Sequence, residues 1–317
     1  MRKESIIEAP MAAVRKIEDT LAQVIRGKKD TIRLVLIGML SAGHILLEDV
    51  PGTGKTTLAK SLARTMEGIF HRIQFTPDLL PADILGSNVY RPVDGSFEFR
   101  HGPVFANVVL ADEINRTSPR TQSALLEVMS ESHVTIDGVE RPLPQPFLVI
   151  ATQNPIEFHG TYPLPEAQLD RFAVRLTLGY PSPEDELEVL YSQNDSHPYD
   201  RLAAVATCDD VISLQEAVKR VCVDRSVAEY ILHLVGATRK DVRLRLGVSP
   251  RGSLTLYRTA QVRAFLECRD YVLPEDVRAL AVPVLAHRML LETKAKYGGV
   301  LPEQIVEELL DKTPVPR

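Results

Sequence analysis

Ile45 to Lys60 reads ILLEDVPGTGKTTLAK: an apolar run, a turn with two glycines, then a lysine and two threonines opening a helical pattern. It nearly spells the phosphate-loop pattern G-x-x-x-x-G-K-[ST], yet Asp49 stands where the first glycine belongs. Backbone N–H groups of such a turn, followed by a helix N-terminus, form a concave positive surface for a polyphosphate. On that reading Pro51, Gly52, Thr53, Gly54, Lys55, Thr56 and Thr57 are the ATP-binding stretch. Lys55 reaches the outer phosphates and Thr56 offers its hydroxyl to Mg2+. Asp49 ends the preceding strand, HILLE, and lies outside the inner turn, so its carboxylate is expected to point away from the anion. The missing glycine weakens the pattern without destroying it, because a strand precedes the loop and a helical run, TTLAKSLARTM, follows it.

A second element supports the first. VVLADE reads as a buried strand, Val108 to Ala111, that delivers Asp112 and Glu113 at its C-terminal edge, where ligands bind in open α/β sheets. Asp112 is placed to hold the Mg2+ shell and Glu113 to polarise an attacking water. Two solvated acids in a strand-to-helix turn are the plain alternative. That alternative loses once the acids are paired with the lysine loop upstream.

Between Leu34 and Leu178, short β-rich apolar runs (HILLE, FHRIQF, VFANVVLA, FLVIAT, FAVRLTL) alternate with helical stretches. This alternation predicts an α/β fold, a parallel sheet flanked by helices. After GYPSPED, where Ser182 caps a helix and Pro183 lies in its first turn, nearly everything reads as helix. Val227, Tyr230, Ile231, Leu234 and Val235 form one apolar helix face directed at the core. The expected division is 1–180, an α/β nucleotide-binding domain with an N-terminal helix and hairpin insertions, and 181–317, a small all-α lid. VYRPVDGSFEF and HVTIDGVERPL each place Asp-Gly between strand-like flanks and predict the two hairpins. They either project toward a substrate or are ordinary surface hairpins.

The chain has 317 residues, with 42 acids against 37 bases, an ordinary soluble balance that announces no nucleic-acid partner. Its longest markedly apolar run, Leu34 to Leu40, is far short of a membrane span. The start MRKESIIEAP lacks the apolar segment of a signal peptide, so a cytoplasmic location is expected. Cys208, Cys222 and Cys268 contain no C-x-x-C and read as reduced packing thiols. His101, His133 and His159 have no second ligand at a metal spacing. With Trp absent and the other aromatics scattered, no base-stacking platform stands out.

Four ordered segments, EDVPGTGKT, GPVFANVVLADEINR, ATQNP and GTYPLPEAQLDRF, resemble the MoxR family of AAA+ ATPases, over about Arg26 to Met289. An acidic residue before the loop is usual in that family, so the resemblance implies ATP hydrolysis on a P-loop AAA+ sheet in spite of Asp49. It also implies individual roles. Asn154 matches sensor 1, whose amide orients water near the γ-phosphate; a turn residue before Pro155 is the plain alternative. Arg171 in LDRF matches the arginine finger presented to a neighbouring subunit's ATP, where analogous fingers contribute on the order of 10³ to 10⁵ in rate. Its alternative is a surface ion pair with Asp170. Arg251 in GVSPRGSL matches sensor 2. Ser249 suits the N-cap and Pro250 the first helical position, so Arg251 falls in a first turn whose dipole also favours an anion. Its own nucleotide and a neighbour's both fit. Asn115 and Arg116 face either a subunit boundary or a solvated turn.

A finger from a neighbour implies a head-to-tail ring, with a hexamer as the family expectation. Nucleotide state is then expected to move the lid, Pro183 onward, against the sheet. The resemblance further implies a chaperone-like remodeller that matures or activates partner proteins, sometimes by assisting metal or cofactor insertion. Proteins with von Willebrand factor A domains are frequent associates and would act in trans. Two rival classes are a nucleic-acid motor and a partner-dependent ATP-binding switch. A motor's hairpins should be basic, whereas Arg91 and Arg100 are offset by Asp94 and Glu98, and Arg141 by Asp137 and Glu140. A switch uses the same ATP-binding residues, and turnover measured alone and with a client separates it from the ATP-hydrolysing remodeller.

Overall fold

The computed structural model describes residues 5–154, 161–192 and 198–316. Pro155, His159 and Gly160 lie outside the described residues.

Helices α1 (Ser5–Val24) and α2 (Lys29–Leu40) lead into strand β1 (His44–Glu48). The phosphate loop then opens α3 (Lys55–Thr65), and β2 (Phe70–Gln74) follows. A short α4 (Pro81–Leu85) carries the first hairpin, β3 (Gly86–Arg91) and β4 (Ser96–His101), ahead of β5 (Val108–Asp112). Next come α5 (Pro119–Glu131), the second hairpin β6 (His133–Ile136) and β7 (Val139–Pro142), and β8 (Leu148–Gln153). A single turn, α6 (Glu166–Leu169), precedes β9 (Phe172–Leu176).

The sheet order is β2-β5-β8-β1-β9 and every pairing in it is parallel. Its central strands β5, β8 and β1 are apolar on both faces because both faces are covered, and their side chains sort by period two. Ile45, Leu47, Val108, Leu110, Leu148 and Ile150 join one core with α1, α2 and α3, whereas Leu46, Val109, Ala111, Val149 and Ala151 join another with α5. Parallel strands place all C-terminal ends at one edge of the sheet, so Asp49, Gln74, Asp112 and Gln153 arrive at the same side.

After β9 the chain forms α7 (Pro183–Ser192), α8 (Cys208–Val218), α9 (Arg225–Thr238), the strand β10 (Leu244–Leu246) and α10 (Pro250–Leu266). It ends with α11 (Pro274–Leu285), the strand β11 (Leu290–Leu291), α12 (Thr293–Tyr297) and α13 (Pro302–Lys312). The antiparallel β10–β11 ribbon was absent from the helical expectation. Strands of three and two residues are too short to show a period in sequence. The expected apolar face of α9 is buried at all five positions, and it joins the same core as the sheet's α1–α3 face. Ser182 caps α7 by accepting the Asp185 amide at 3.1 Å, and Ser249 caps α10 by accepting the Gly252 amide at 3.2 Å.

Both hairpins form, with Gly95, Asp137 and Gly138 at positive φ in their turns. They lean on one another: the Asn88 amide donates to the Asp137 carboxylate, and the Arg141 guanidinium stacks 4.0 Å from the Phe99 ring centre. Val93 at the first hairpin's tip is 99% exposed and Phe97 is 70% exposed. The cysteines depart from expectation in one respect: Cys222 and Cys268 are exposed, not packed. Among the described residues no helix is long and apolar enough to cross a membrane.

Candidate functional site

The C-terminal edge of the sheet holds a cavity of about 240 Å³ between the phosphate loop and the ends of β2, β5 and β8. Gly52, Gly54, Lys55, Thr56, Asp112, Glu113 and Asn154 all line it, so residues distant in sequence meet there as the two motifs require. Gly52 and Gly54 have φ of +86° and +91°. A Cβ built on either meets nothing within 4 Å, so the left-handed backbone and not crowding selects glycine at both. Lys55 Nζ donates to the carbonyls of Val50 (2.7 Å) and Asp49 (3.1 Å), which holds the ammonium at the lip of the loop.

Asp49 points away from the cradle, as its place at the strand end suggests. It is buried, and its Oδ2 accepts the amides of Leu178 and Gly179, each at 2.8 Å, while Oδ1 accepts its own neighbour's amide, Val50, at 2.9 Å. The carboxylate therefore straps the phosphate loop to the segment that leaves β9 for the lid. Lys28 Nζ donates to the carbonyl of Tyr180 in that same segment.

The acidic pair is held by residues that the sequence reading did not single out. Thr152 Oγ1 donates to Asp112 Oδ1 at 2.7 Å and accepts the Glu113 amide at 2.8 Å, so one buried hydroxyl fixes both acids. Arg72 pairs with Asp112, and Gln74 Nε2 donates to Glu113 Oε2 at 2.7 Å. Arg116 also donates to Glu113 Oε2, at 2.8 Å, so it faces the Glu113 carboxylate. Asn115 is buried, which corrects the solvated-turn reading for that residue. Glu113 itself adopts φ +58°, a left-handed conformation that costs a non-glycine residue on the order of 1–3 kcal/mol and aims its side chain at the cavity.

Arg171 and Arg251 are elsewhere. Both line a separate cavity of about 300 Å³ with Arg258, beside Ser41–Gly43 and Asp170, which precede β1 and β9, and His44, which opens β1. That places them at the N-terminal edge of the sheet, opposite the phosphate loop. The alternative ion pair between Arg171 and Asp170 is not formed. Arg171 donates to the Leu126 carbonyl and the Ser130 hydroxyl on α5, while Asp170 pairs with the buried Arg288 (3.0 Å) and accepts the Ser249 hydroxyl (2.8 Å). Burial lowers Arg288 to about 10, with Asp170 opposing the shift, so it keeps its charge at neutral pH. Asp170 thus connects the segment carrying Arg171 to the cap of the helix carrying Arg251.

A third cavity, of about 400 Å³, adjoins the phosphate loop on its other side. Val24, Ile25, Thr53, Thr57, Tyr180 and Val189 are among its lining residues. Thr53 and Thr57 therefore face this space and not the acidic pair. Its apolar walls come from three segments far apart in sequence, which left it invisible before the fold was known.

A phosphate loop and an acidic strand end on a five-stranded parallel sheet, followed by a helical lid, define a P-loop ATPase of the AAA+ class. Residues 44–174 match the family described as ATPase family associated with various cellular activities (AAA), and residues 236–309 match the AAA lid domain. The chain is 51% identical to YeaC, an uncharacterised protein of Bacillus subtilis, over 95% of this chain and 94% of that one. It is 42% identical to Chaperone MoxR1 of Mycobacterium tuberculosis over 98% of this chain and 85% of the relative. A crystal structure from Cytophaga hutchinsonii superimposes with a TM-score of 0.93 at 42% identity, covering 99% of this chain and 98% of that one. The chain belongs to the MoxR family of AAA+ ATPases.

Proposed function

We propose that this ATPase works as a head-to-tail ring of its own copies, a hexamer by family resemblance, in which Arg171 and Arg251 complete the nucleotide site of the adjacent subunit. The observation that carries this reading is the placement of the two arginines at the sheet edge opposite Lys55. Five-residue strands separate the edges by about 17 Å, beyond the reach of an arginine side chain. Within one subunit, Gly52, Gly54 and Lys55 cradle the phosphates. Glu113 orients the attacking water as general base with Asn154 beside it, and the apolar cavity next to the loop takes the base. Thr56 and Asp112 bring hard oxygen donors into the same cavity, a set that suits Mg2+. Bound there, the ion neutralises charge on the outer phosphates.

The lid in this reading begins at 181, just past the Leu178–Gly179 segment that Asp49 straps to the phosphate loop, and the Asp170 clasp ties it to the sheet domain through Ser249 and Arg288. The output is chaperone-like remodelling of protein clients in the cytoplasm. The hairpins support it, because they present apolar side chains at Val93 and Phe97, and Arg91 is neutralised by Glu98 at 3.2 Å. Maturation by metal or cofactor insertion, and von Willebrand factor A domain proteins as partners, rest on family resemblance alone.

The test is turnover against protein concentration for the parent, Glu113→Gln and Arg171→Ala, then for the two variants mixed. Each variant alone is expected to bind ATP and turn over little. Mixing restores turnover, because a Glu113→Gln subunit lends its Arg171 to the intact acids of the other. Turnover independent of concentration, with no recovery on mixing, sinks the ring and favours a partner-dependent switch.

A further inference from the structure

Arg72 lies on β2 beside the acidic pair, and neither the phosphate-loop pattern nor the family resemblance gives it a task. Its Nε and Nη2 donate to Asp112 Oδ2 at 3.1 and 2.6 Å, while Thr152 donates to Oδ1. Both oxygens of the carboxylate expected to face magnesium therefore already carry donors, and a cation of the protein's own balances the charge. The same Nη2 donates to Gln74 Oε1 at 2.8 Å, which turns the Gln74 amide nitrogen toward Glu113. One guanidinium thus sets both acids, Asp112 directly and Glu113 through Gln74. The geometry follows from register: Arg72 and Gln74 are two apart on one face of β2, and Gln74 pairs with Asp112 across the ladder.

We infer that Arg72 is a positioning residue that holds Asp112 in a magnesium-free arrangement and releases Oδ2 when a divalent cation shares that carboxylate. This rests on the Mg2+·ATP reading above. A guanidinium and a divalent cation compete for the same lone pairs, and two cations on one oxygen repel each other. The mobile partner is Arg72: its side chain is 47% exposed against 12% for Asp112, so it swings toward solvent without unpacking the core. The site therefore takes up magnesium by exchange of one cation for another.

The experiment is a magnesium titration of fluorescent mant-ADP binding to the full chain, as parent, Arg72→Gln and Arg72→Lys, with a parallel series in EDTA. A partly exposed ion pair amounts to about 1 kcal/mol, or about five-fold in an equilibrium constant. Arg72→Gln is expected to lower the half-saturating magnesium concentration about five-fold, with affinity in EDTA changed by less than about two-fold. Arg72→Lys keeps the charge but not the fork and should fall between parent and glutamine variant. A magnesium midpoint that is unchanged or raised in Arg72→Gln overturns the inference. So does a loss of affinity equal with and without magnesium, which places Arg72 on the phosphates instead. If Arg72→Gln does not fold by circular dichroism, Arg72→Lys carries the same comparison. A parent that binds no mant-ADP overturns the nucleotide-site reading itself, an outcome distinct from a parent that binds with a midpoint indifferent to Arg72.

Discussion

Replacing Asp49 separates two accounts of a phosphate loop that opens with an acid. In the geometry described here the carboxylate is a strut. It accepts three amides, of which Leu178 is buried and Gly179 and Val50 are partly so. Asp49→Ala leaves the Leu178 amide without a partner and returns the other two partly to water, a cost of about 2–4 kcal/mol in unfolding free energy. Asp49→Asn keeps the shape. Its amide oxygen still serves Leu178 and Gly179, but its NH2 group then opposes the Val50 amide, so the expected cost is about 1–2 kcal/mol. Nucleotide affinity is the sharper discriminator. A carboxylate facing the phosphates at about 5 Å would repel each unit charge by roughly 3 kcal/mol at an effective dielectric constant of 20, so Asp49→Asn would tighten ADP binding more than about a hundred-fold. A carboxylate turned toward Leu178 predicts ADP affinity within about five-fold of the parent. Urea unfolding followed by circular dichroism gives the first quantity and calorimetric titration of ADP the second. Much tighter ADP binding by Asp49→Asn, or an Asp49→Ala cost below about 0.5 kcal/mol, refutes the strut.

Other substitutions address the remaining polar contacts. Thr152→Val conserves volume but leaves both an Asp112 oxygen and the Glu113 amide one partner short; turnover should fall about ten- to a hundred-fold through misplaced acids, and an unchanged kcat contradicts the role assigned to that hydroxyl. Arg288→Met strips the guanidinium from Asp170 and should cost about 3–5 kcal/mol in urea unfolding. Adding Asp170→Asn should recover part of that loss, and a double variant no more stable than Arg288→Met speaks against a coupled pair. Acid should weaken the fold through two buried imidazoles. Burial, opposed by the bond to the Met129 carbonyl, pulls His44 down to about 4, and burial with the adjacent Arg288 pushes His287 well below its usual value. Unfolded imidazoles protonate near pH 6.5, so below that the unfolded chain takes up protons that the folded chain refuses. Stability is then full above about pH 6.5 and falls toward pH 4, by roughly 3 kcal/mol for His44 alone. His44→Gln should flatten the pH dependence of the urea midpoint across that window, and an unaltered slope would show that His44 does not carry the effect.

The parallel sheet, both hairpins, the apolar face of α9 and the meeting of Lys55 with Asp112 and Glu113 were legible in sequence, because each depends on periodicity or on contiguous turn chemistry. Arg72, Gln74 and Thr152 were not. Their roles arise from the order β2-β5-β8, which brings three strands side by side that lie far apart in the chain. A hint was present in FHRIQF, where arginine and glutamine sit two apart in a strand-like run, as polar side chains on one face of a strand end would. The clasp of Asp170 with Arg288 and Ser249 was hidden for the same reason, since its members come from both sides of the lid junction.

The missing first glycine yields to the same physical distinction. Gly52 and Gly54 occupy positive φ, where a side chain is strained whatever the space around it. Asp49 is not among the positive-φ residues of the chain, and its amide still continues the ladder by donating to the Gln153 carbonyl at 3.2 Å. Its position therefore directly follows β1 and still shares its pairing, outside the turn itself, and such a place admits a side chain. Once admitted, a short carboxylate there is surrounded by amides of the β9 exit and has partners without the nucleotide. The loop can thus hold a polyphosphate with an acid at its entrance, because the two negative charges face different groups of N–H donors.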